Sequence, residues 1–306
     1  MARAQTSELS AERRRKLLRQ GVSNTAQYAL HLFLVFLFIF PLLWMIMSSL
    51  KTSNAQIFAD SRSLRAFLPV GEVSMENYKA VFENSSFPRF LLNSTAISVV
   101  TVVFSLLINS MAAYSLSRLK WAGQKLILAI IIATLIIPFE AIAVPLLMLV
   151  SKLPWFSFAD GGFVTGWLNS YHVQIIPGIA GAYSIFLFYQ FFQDIPRELD
   201  EAALVDGASR FRIYWSVIVP ISGPVFATVA ILTFLGAWNA FLWPIMTVQS
   251  EELRPVQVGL QYFFQRDTVW GQVLAYTTMI TLPVLAVFAA FQGAFVRSIA
   301  TSGLKG

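Results

Sequence analysis

The sequence predicts an all-α membrane protein with six transmembrane helices and both termini in the cytoplasm. Of its 306 residues, 57% are hydrophobic and 12% are charged, against about 25% charged in an ordinary soluble domain. A water-soluble fold of this composition would expose larger apolar patches than soluble monomers tolerate. Six apolar segments are long enough to cross a bilayer, and basic residues collect on one side of it.

Cysteine and histidine usage excludes several kinds of site. The chain has no cysteine, which excludes disulfides, thiolate nucleophiles, iron–sulfur clusters and cysteine-based zinc sites. Its histidines, His31 and His172, lie far apart in the sequence, so we predict no metal site and no catalytic residue. The net charge of +6 is typical of a membrane protein with basic cytoplasmic loops, and we expect no nucleic-acid partner.

The first apolar segment covers about 26–50 and follows a basic stretch in the amino-terminal tail. A cleaved signal peptide is the competing interpretation, but its apolar region would be only about 7–15 residues long. This segment is longer and contains Pro41, so we expect an uncleaved membrane anchor. Residues 1–25 are then a cytoplasmic basic tail attracted to anionic membrane lipid.

Five further apolar segments complete the predicted membrane domain, which spans 26–306. They cover about 90–116, 126–149, 173–192, 225–248 and 273–296, and each supplies the roughly 20 residues that a crossing needs. With the amino terminus inside, the cytoplasmic loops and a cytoplasmic tail over 297–306 hold these basic residues: Arg118, Lys120, Lys125, Arg197, Arg210, Arg212, Arg297 and Lys305. Because cytoplasmic loops carry an excess of Lys and Arg, both termini are predicted to be cytoplasmic.

The cytoplasmic loop over 194–224 is patterned as two short helices rather than as a connector. The first is predicted over about 196–206, with Asp194 as its cap and Pro196 in its first turn. Three acids complement the positive start of this helix: Glu198, Asp200 and Glu201. Gly207 is predicted to end it in the left-handed conformation.

The second helix is predicted to begin after Ser209 and to end near Pro220. Its aromatic and aliphatic residues are expected on one face that anchors it against the membrane domain: Phe211, Tyr214, Trp215 and Ile218. The first helix instead presents small Ala202 and Ala203 between carboxylates, which favours docking of a basic protein partner. An amphipathic turn that merely joins two membrane helices is the alternative.

This loop resembles the EAA loop of ATP-binding-cassette importer permeases, written E-A-A-x3-G-x9-I-x-L-P. The matching residues are Glu201, Ala202, Ala203, Gly207, Val217, Val219 and Pro220, with valine replacing the family's isoleucine and leucine. Over 90–306 the chain resembles the second permease subunit of maltose-type carbohydrate importers. The supporting segments are 93–94, 112–118, 137–138 with Pro145, 238–244 and 303–306. Glu140 departs from the glutamine that is more frequent in that family, and Ala240 from its glutamate.

The resemblance implies a multi-pass permease in the cytoplasmic (inner) membrane of a bacterium or archaeon. It would pair with a sibling permease subunit as a heterodimer and translocate a carbohydrate, either an oligosaccharide, a disaccharide or a polyol. Two ATPase subunits would bind ATP and Mg, and an extracytoplasmic solute-binding protein would deliver the substrate. This chain lacks a G-x-x-x-x-G-K-[ST] phosphate loop, so we expect a transport subunit, not an enzyme, without a cofactor of its own.

The resemblance also implies roles for particular residues. Glu201, Ala202, Ala203, Gly207 and Pro220 would couple this chain to the ATPase, and the carboxyl-terminal tail would reach the ATPase interface. The outer loop over 249–271 would contact the binding protein through these residues: Glu251, Glu252, Arg254 and Gly259. The first external loop, over 51–89, is a second candidate contact. Composition alone also fits a plain polar outer loop and a disordered carboxyl terminus.

Polar residues inside the predicted crossings are candidate substrate-path residues. Glu140 is the only acid in any predicted crossing, and an ionised carboxylate in lipid is costly, so it should face a cavity or a partner. A substrate-path or gate role and a buried structural role both remain open for it. Asn239, like Asn93 and Asn109, either contacts the sugar or joins helices by hydrogen bonds.

Two other classes of protein compete with this interpretation. An ion-coupled secondary transporter would place several ionisable groups along its ion route, whereas the predicted crossings hold only Glu140 and His31. We expect His31 to be a packing residue rather than a ligand. A membrane scaffold or channel subunit would need no docking loop of this spacing.

Overall fold

The computed structural model of the protein describes residues 2–157, 161–264 and 268–303, and side chains for 24, 26–157, 161–264 and 268–293. The described residues are helical apart from connecting loops and one short β-hairpin. The helices are α1 (Ala2–Ser49), α2 (Asn54–Asp60), α3 (Glu76–Asn84), α4 (Phe87–Arg118), α5 (Gln124–Thr134), α6 (Phe139–Val150), α7 (Tyr171–Ile175), α8 (Ala182–Asp194), α9 (Glu198–Val205), α10 (Arg210–Ile213), α11 (Val219–Ile221), α12 (Gly223–Trp238), α13 (Leu242–Thr247), α14 (Val256–Gly259) and α15 (Trp270–Gly303).

Four stretches of helix are long and apolar enough to cross a membrane. They are Ala26–Ser49, Phe87–Arg118, Tyr171–Asp194 and Trp270–Gly293. Two bent helix pairs also qualify, which gives six spans if each pair is counted as one. The predicted all-α membrane fold is therefore confirmed at four to six spans by length and composition.

The two ends of the chain extend these spans. Helix α1 begins at Ala2 and runs without a break into the first span, so the predicted tail over 1–25 is continuous with the anchor as far as its backbone is described. The predicted tail over 297–306 is helical up to Gly303. Residues 304–306 lie outside the described residues.

The third predicted crossing, over 126–149, is not one straight helix. It consists of α5 and α6, which meet at an angle of 105°. Pro138 explains the break, because it has no N–H to donate and pushes Ile137 before it away from the α conformation. Pro138 itself is extended, with φ −68° and ψ 144°. The sequence analysis treated 126–149 as one crossing and did not predict a bend of this size.

The fifth predicted crossing, over 225–248, ends early. Helix α12 stops at Trp238, Asn239 caps it, and α13 begins only at Leu242. At its other end, α12 meets the stretch Arg210–Ile221 at 82°. The fourth crossing is also interrupted, by a 3-10 turn at Ile176–Gly178 that contains Pro177. Three of the six predicted crossings are therefore broken helices.

A β-hairpin, which the sequence analysis did not predict, follows α6. Strands β1 (Pro154–Ser157) and β2 (Gly162–Thr165) pair antiparallel, with Pro154 opposite Thr165 and Ser157 opposite Gly162. One side of the hairpin contacts the following helix, since Trp155 stacks on His172 with ring centroids 4.1 Å apart. Residues 158–160 at the tip lie outside the described residues.

The chain divides into two compact units, the first made of 1–79 and 269–278. Within it, the predicted external loop is largely folded and contains α2, a 3-10 turn at Leu64–Phe67 and α3 up to residue 79. The Lys51 side chain is completely buried, and its Nζ lies 2.9 Å from Asp60 Oδ2 and donates to the Arg65 carbonyl at 3.0 Å. Arg65 Nε reaches Asp60 Oδ1 at 3.2 Å, but its side chain is 61% exposed.

The second unit consists of 80–268 and 279–306. Its main apolar cluster joins the end of α4 to α8, the start of α12 and the loop segment after α10. The buried members are Ala113, Tyr114, Leu116, Ile185, Phe188, Phe192, Ile195, Ile213, Tyr214, Ile218, Val225 and Val229. The predicted second loop helix is therefore packed into the core of this unit.

We predict that Lys51→Met loosens the folded loop far more than Arg65→Met. Removing Lys51 leaves the buried Asp60 carboxylate with only an exposed partner, and breaking a buried ion pair costs about 3–5 kcal/mol. Losing the exposed Arg65 contact should cost under about 1 kcal/mol. Hydrogen exchange of amides over 54–79 measures the difference, and equal protection in the two variants would contradict it.

Candidate functional site

Helix α9 is the centre of the candidate site, and its ending follows from its sequence. Gly207 has φ +80°, which is the predicted left-handed conformation. Its N–H donates to the Leu204 carbonyl at 3.0 Å, and the Ala208 N–H donates to the Ala203 carbonyl at 2.9 Å. These two bonds form a Schellman motif, which closes the helix at this glycine.

The start of α9 differs from the prediction. Asp194 is the last residue of α8, and the residue before α9 is Arg197, which makes no side-chain capping bond. Pro196 lies between α8 and α9 and is not in the first turn of α9, where it was predicted. The three acids predicted in the first turn are present there, so favourable interaction with the helix dipole remains.

The two alanines of the motif lie in different environments on α9. Ala202 and Glu201 are exposed, whereas Ala203 is half-buried and packs against the core cluster. The predicted stripe of two small residues therefore does not face one partner. Instead, Ala202 lies between exposed Leu199 and Val205, the latter 89% exposed. These three residues form the apolar face of α9, and the exposed acids beside it are Glu198, Glu201 and Asp206.

Helix α9 is attached to the end of α4 by a buried ion pair. Arg118 Nε lies 3.3 Å from Asp200 Oδ2, and the two side chains are 1% and 9% exposed. The backbone reinforces the contact, since the Arg118 guanidinium donates to the Pro196 carbonyl at 3.3 Å. The Arg197 guanidinium donates to the Ser117 carbonyl at 3.4 Å. Together these contacts hold α9 and the turn before it against the end of α4.

The second loop segment is only partly the predicted helix. Ser209 caps it as predicted, since its hydroxyl accepts from the Arg212 N–H at 3.2 Å. The helix then widens into a π turn over Tyr214–Ile218 and continues through Pro220 to Ile221. Pro220 therefore does not end the helix; the chain turns at Ser222 instead.

The anchoring face of this segment also differs from the prediction. Phe211 and Trp215 are exposed, whereas Ile213 is buried. A π turn shifts side chains away from the positions that a regular 3.6-residue repeat predicts. Tyr214 does anchor the segment, because its hydroxyl lies 2.6 Å from Ser110 Oγ of α4.

A pocket of about 550 Å³ lies beside α9 and carries both signs of charge. It is lined by Arg118, Leu119, Lys120, Arg197, Asp200, Glu201, Leu204 and Arg210. Glu201 therefore has cations of its own chain nearby, which the sequence analysis did not foresee.

A second cavity, of about 480 Å³, lies where the broken helices meet. Phe139 reaches it from the start of α6, Pro177 and Gly178 from the break before α8, and Ala240 and Phe241 from the break after α12. Discontinuous membrane helices are a common feature of substrate sites in transporters. We call this space the break cavity.

The two predicted substrate-path residues lie next to the break cavity but do not line it. Glu140 is exposed in the first turn of α6, directly after Phe139. Glu140 was predicted to lie inside a continuous crossing, but it lies at the bend between α5 and α6. Asn239 directly precedes Ala240, and its Oδ1 accepts from Gln257 Nε2 at 3.2 Å.

Asn93 and Asn109 join elements by hydrogen bonds, in keeping with the structural alternative. Asn93 Nδ2 donates to the carbonyls of Glu252 and Arg254 at 2.8 and 2.9 Å. Asn109 Nδ2 donates to the Ile179 carbonyl at 2.9 Å. Both amides therefore fix loops against α4.

The predicted binding-protein loop is held against the amino-terminal end of α4. Glu251 Oε1 lies 2.8 Å from the Ser86 hydroxyl, which donates to it. The Arg254 guanidinium donates to the Gln249 carbonyl at 2.9 Å and contacts Tyr262. Glu252 is exposed, and Gly259 is buried in α14. Of the four predicted contact residues, Glu251 and Glu252 are therefore the exposed ones.

Several functional candidates were missed by sequence reasoning. Arg118 was counted as a loop charge and Asp200 as an acid in the first turn of the loop helix, and nothing in the local sequence shows that they meet. Leu199 and Val205 are ordinary aliphatic residues whose exposure depends on how α9 packs. Thr101 and Gln174, which line the break cavity, give no sequence signal.

The fold and the loop define a class of protein: a helical membrane protein in which a short loop helix is fixed to the end of a membrane-spanning helix. The family of binding-protein-dependent transport system inner membrane components matches residues 105–301. The chain belongs to that family. It is thus a multi-pass inner membrane component of an ABC importer, and ATP hydrolysis takes place on a partner ATPase.

Individual relatives agree with this assignment. The arabinooligosaccharides transport system permease protein AraQ of Halalkalibacterium halodurans is 30% identical over 90% of this chain and 94% of its own. The lactose transport system permease protein LacG of Rhizobium radiobacter is 29% identical over 92% and 97%. The predicted membership of a carbohydrate-importer permease family is confirmed. The predicted role as a transport subunit rather than an enzyme is also confirmed.

A solved structure supports the fold. A crystal structure of a bacterial ABC transporter involved in the import of the acidic polysaccharide alginate contains a chain of the same fold. The TM-score is 0.71 at 23% identity, covering 90% of this chain and 96% of that chain.

We predict that Gly207→Val weakens the end of α9, whereas Gly207→Asn is tolerated. A side chain at Gly207 would meet no atom within 4 Å, so the effect comes from the backbone alone. For residues other than glycine, the left-handed conformation costs about 1–2 kcal/mol of free energy. This cost is smallest for asparagine. Transport rate of the assembled importer measures the effect; equal rates for valine and asparagine would contradict this role of the backbone.

Proposed function

We propose that this chain forms half of a carbohydrate-translocating pore with a sibling permease, and that α9 docks on one of two ATPase subunits. The observation that carries the proposal is the apolar face of α9, exposed beside three acids on a helix that is fixed to α4. A docking helix needs both properties, because it must bind a partner and transmit its movement.

Ala202 belongs to the docking face, and Glu201 borders it. Ala203 packs α9 on the core, and Gly207 ends the helix. Pro220 lies exposed in the segment that leads into α12, beyond the docking helix. A cleft with basic residues on the ATPase would suit the acids around the apolar face.

The proposed substrate class rests on the relatives. Their printed names assign arabinooligosaccharides and lactose to them, and we extend a saccharide substrate to this chain. Glu140 and Asn239 flank the break cavity and are proposed to border the sugar's path. The proposed membrane domain is 26–306, with 194–224 as its coupling loop and 1–25 and 297–306 as cytoplasmic tails.

The solute-binding protein is proposed to dock on the outer loop that contains Glu251, Glu252, Arg254 and Gly259. The exposed carboxylates would make the contact, whereas Arg254 and Gly259 would hold the loop in shape. The folded segment beginning at Lys51 is the second proposed contact. Membrane lipid would cover the exposed apolar side chains of α1, such as Phe36, Phe38 and Leu32.

We predict that Val205→Asp and Glu201→Lys reduce ATPase retention without affecting membrane insertion. Both residues are exposed, so folding should be preserved, and loss of one central contact commonly weakens binding about tenfold or more. Co-purification of the ATPase with the tagged permease measures retention. Glu76→Lys, an exposed acid in α3, is the control. Full retention in both α9 variants would contradict docking through α9.

Reconstitution tests the transport proposal itself. Proteoliposomes would contain this chain, its sibling, the ATPase subunits and the binding protein, with labelled lactose, maltose and arabinobiose as probes. We expect uptake that requires ATP and persists with an uncoupler. Uptake that survives without ATP but stops with the uncoupler would instead identify the ion-coupled alternative, and no uptake of any probe would refute the saccharide proposal.

A further inference from the structure

The break cavity contains buried polar atoms without partners. Thr101 is 3% and Gln174 is 8% exposed, and both line the cavity. Among the described residues, Thr101 Oγ1 and Gln174 Oε1 have no hydrogen-bond partner. A buried polar atom without a partner is costly. These two atoms are therefore positioned to bond something that enters the cavity.

The orientation of Gln174 is fixed by the rest of its amide. Its Nε2 donates to the Ser170 carbonyl at 3.3 Å and to the Leu253 carbonyl at 3.1 Å. The amide nitrogen is thus occupied, and the oxygen is left as an acceptor. Thr101 can donate or accept through its hydroxyl. An acceptor beside a hydroxyl suits a ligand whose own groups both donate and accept, as sugar hydroxyls do.

The rest of the lining fits a sugar ring and carries no charge. Four aromatic residues contribute to it: Phe139, Tyr183, Phe241 and Trp243. Further hydroxyls come from Ser105, Ser184 and Thr233, and no Lys, Arg, His, Asp or Glu is among the lining residues described. Apolar walls with a few placed polar groups are typical of small-molecule sites. A carboxylate or ammonium entering this cavity would find no countercharge and would be penalised.

We infer that the break cavity of this chain is itself a binding subsite for one or two neutral sugar units, with Thr101 and Gln174 as its buried hydrogen-bonding groups. The inference rests on the proposed saccharide transport and adds two statements to it. This subunit contacts the sugar directly, and the contact selects neutral over acidic saccharides.

Gly236 gives direct experimental access to the cavity. It lines the space, and a Cβ built on it meets no atom within 4 Å. The chain has no cysteine of its own, so Gly236→Cys introduces a single thiol there. Gly293→Cys is the matched control, because a Cβ at this exposed position of α15 also meets no atom within 4 Å.

The experiment measures maleimide labelling of each thiol in the purified full complex, read on this chain after electrophoresis. The added probes are lactose, maltose, arabinobiose and the acidic disaccharide digalacturonate. A binding sugar added at about ten times its Kd should slow labelling of Gly236→Cys about tenfold, since only complexes with an empty cavity react. Labelling of Gly293→Cys should not change, and digalacturonate should protect neither thiol.

Thr101→Val then tests the hydrogen bond. The change keeps the side-chain shape and removes the hydroxyl, so the sugar concentration for half-protection should rise about threefold to tenfold. Thr95→Val is its control on the same helix, because the Thr95 hydroxyl is exposed and donates to the Leu91 carbonyl at 2.8 Å. If Gly236→Cys does not assemble, Ser184→Cys places a thiol of similar size in the same lining.

The outcomes separate this inference from the proposed function. Uptake of a neutral sugar without protection of the cavity thiol would overturn the subsite and leave saccharide transport intact. Equal protection by digalacturonate would overturn selection for neutral sugars. Labelling does not require transport, so protection without uptake would support the subsite while the transport proposal failed.

Discussion

The buried pair of Arg118 and Asp200 is the contact on which the proposed mechanism depends. Two charges removed from water must keep each other as partners, because separating them leaves at least one unpaired in a poor solvent. Arg118 is the last residue of α4, and Asp200 lies inside α9. Turning α9 away from α4 would separate this pair, so the pair couples the two helices.

Local features of the sequence were predictable, and the structure bears this out at Gly207 and Ser209. A left-handed helix ending and a hydroxyl cap depend on one or two residues and on neighbouring backbone groups, so they can be inferred without tertiary information. The apolar segments were predictable for a similar reason, since length and composition decide them. Asp194 shows the limit, because α8 extends through the residue expected to cap the next helix.

What the sequence did not predict depends on distant parts of the chain. The segment 126–149 was predicted as one crossing, whereas the structure bends it by 105° between α5 and α6. Phe211 and Trp215 were placed on a buried face because a regular helical repeat was assumed, and the π turn changes that repeat. Thr101 and Gln174 are ordinary polar residues until the breaks in three crossings bring them to one cavity.

Helix α4 connects the three candidate sites of the second unit. Asn93 near its amino-terminal end holds the outer loop, Thr101 and Ser105 face the break cavity, and Arg118 holds α9. Its 32 residues span about 48 Å at 1.5 Å per residue.

An unbroken helix transmits displacement along its axis better than the interrupted crossings around it, because its backbone hydrogen bonds are continuous. The chain thus combines one continuous helix with broken ones, and the two kinds suit different tasks. The breaks create the cavity, whereas α4 connects that cavity to the proposed docking helix α9 and to the outer loop. A rigid-body push on α9 would in this way reach the proposed sugar subsite without any element having to unfold.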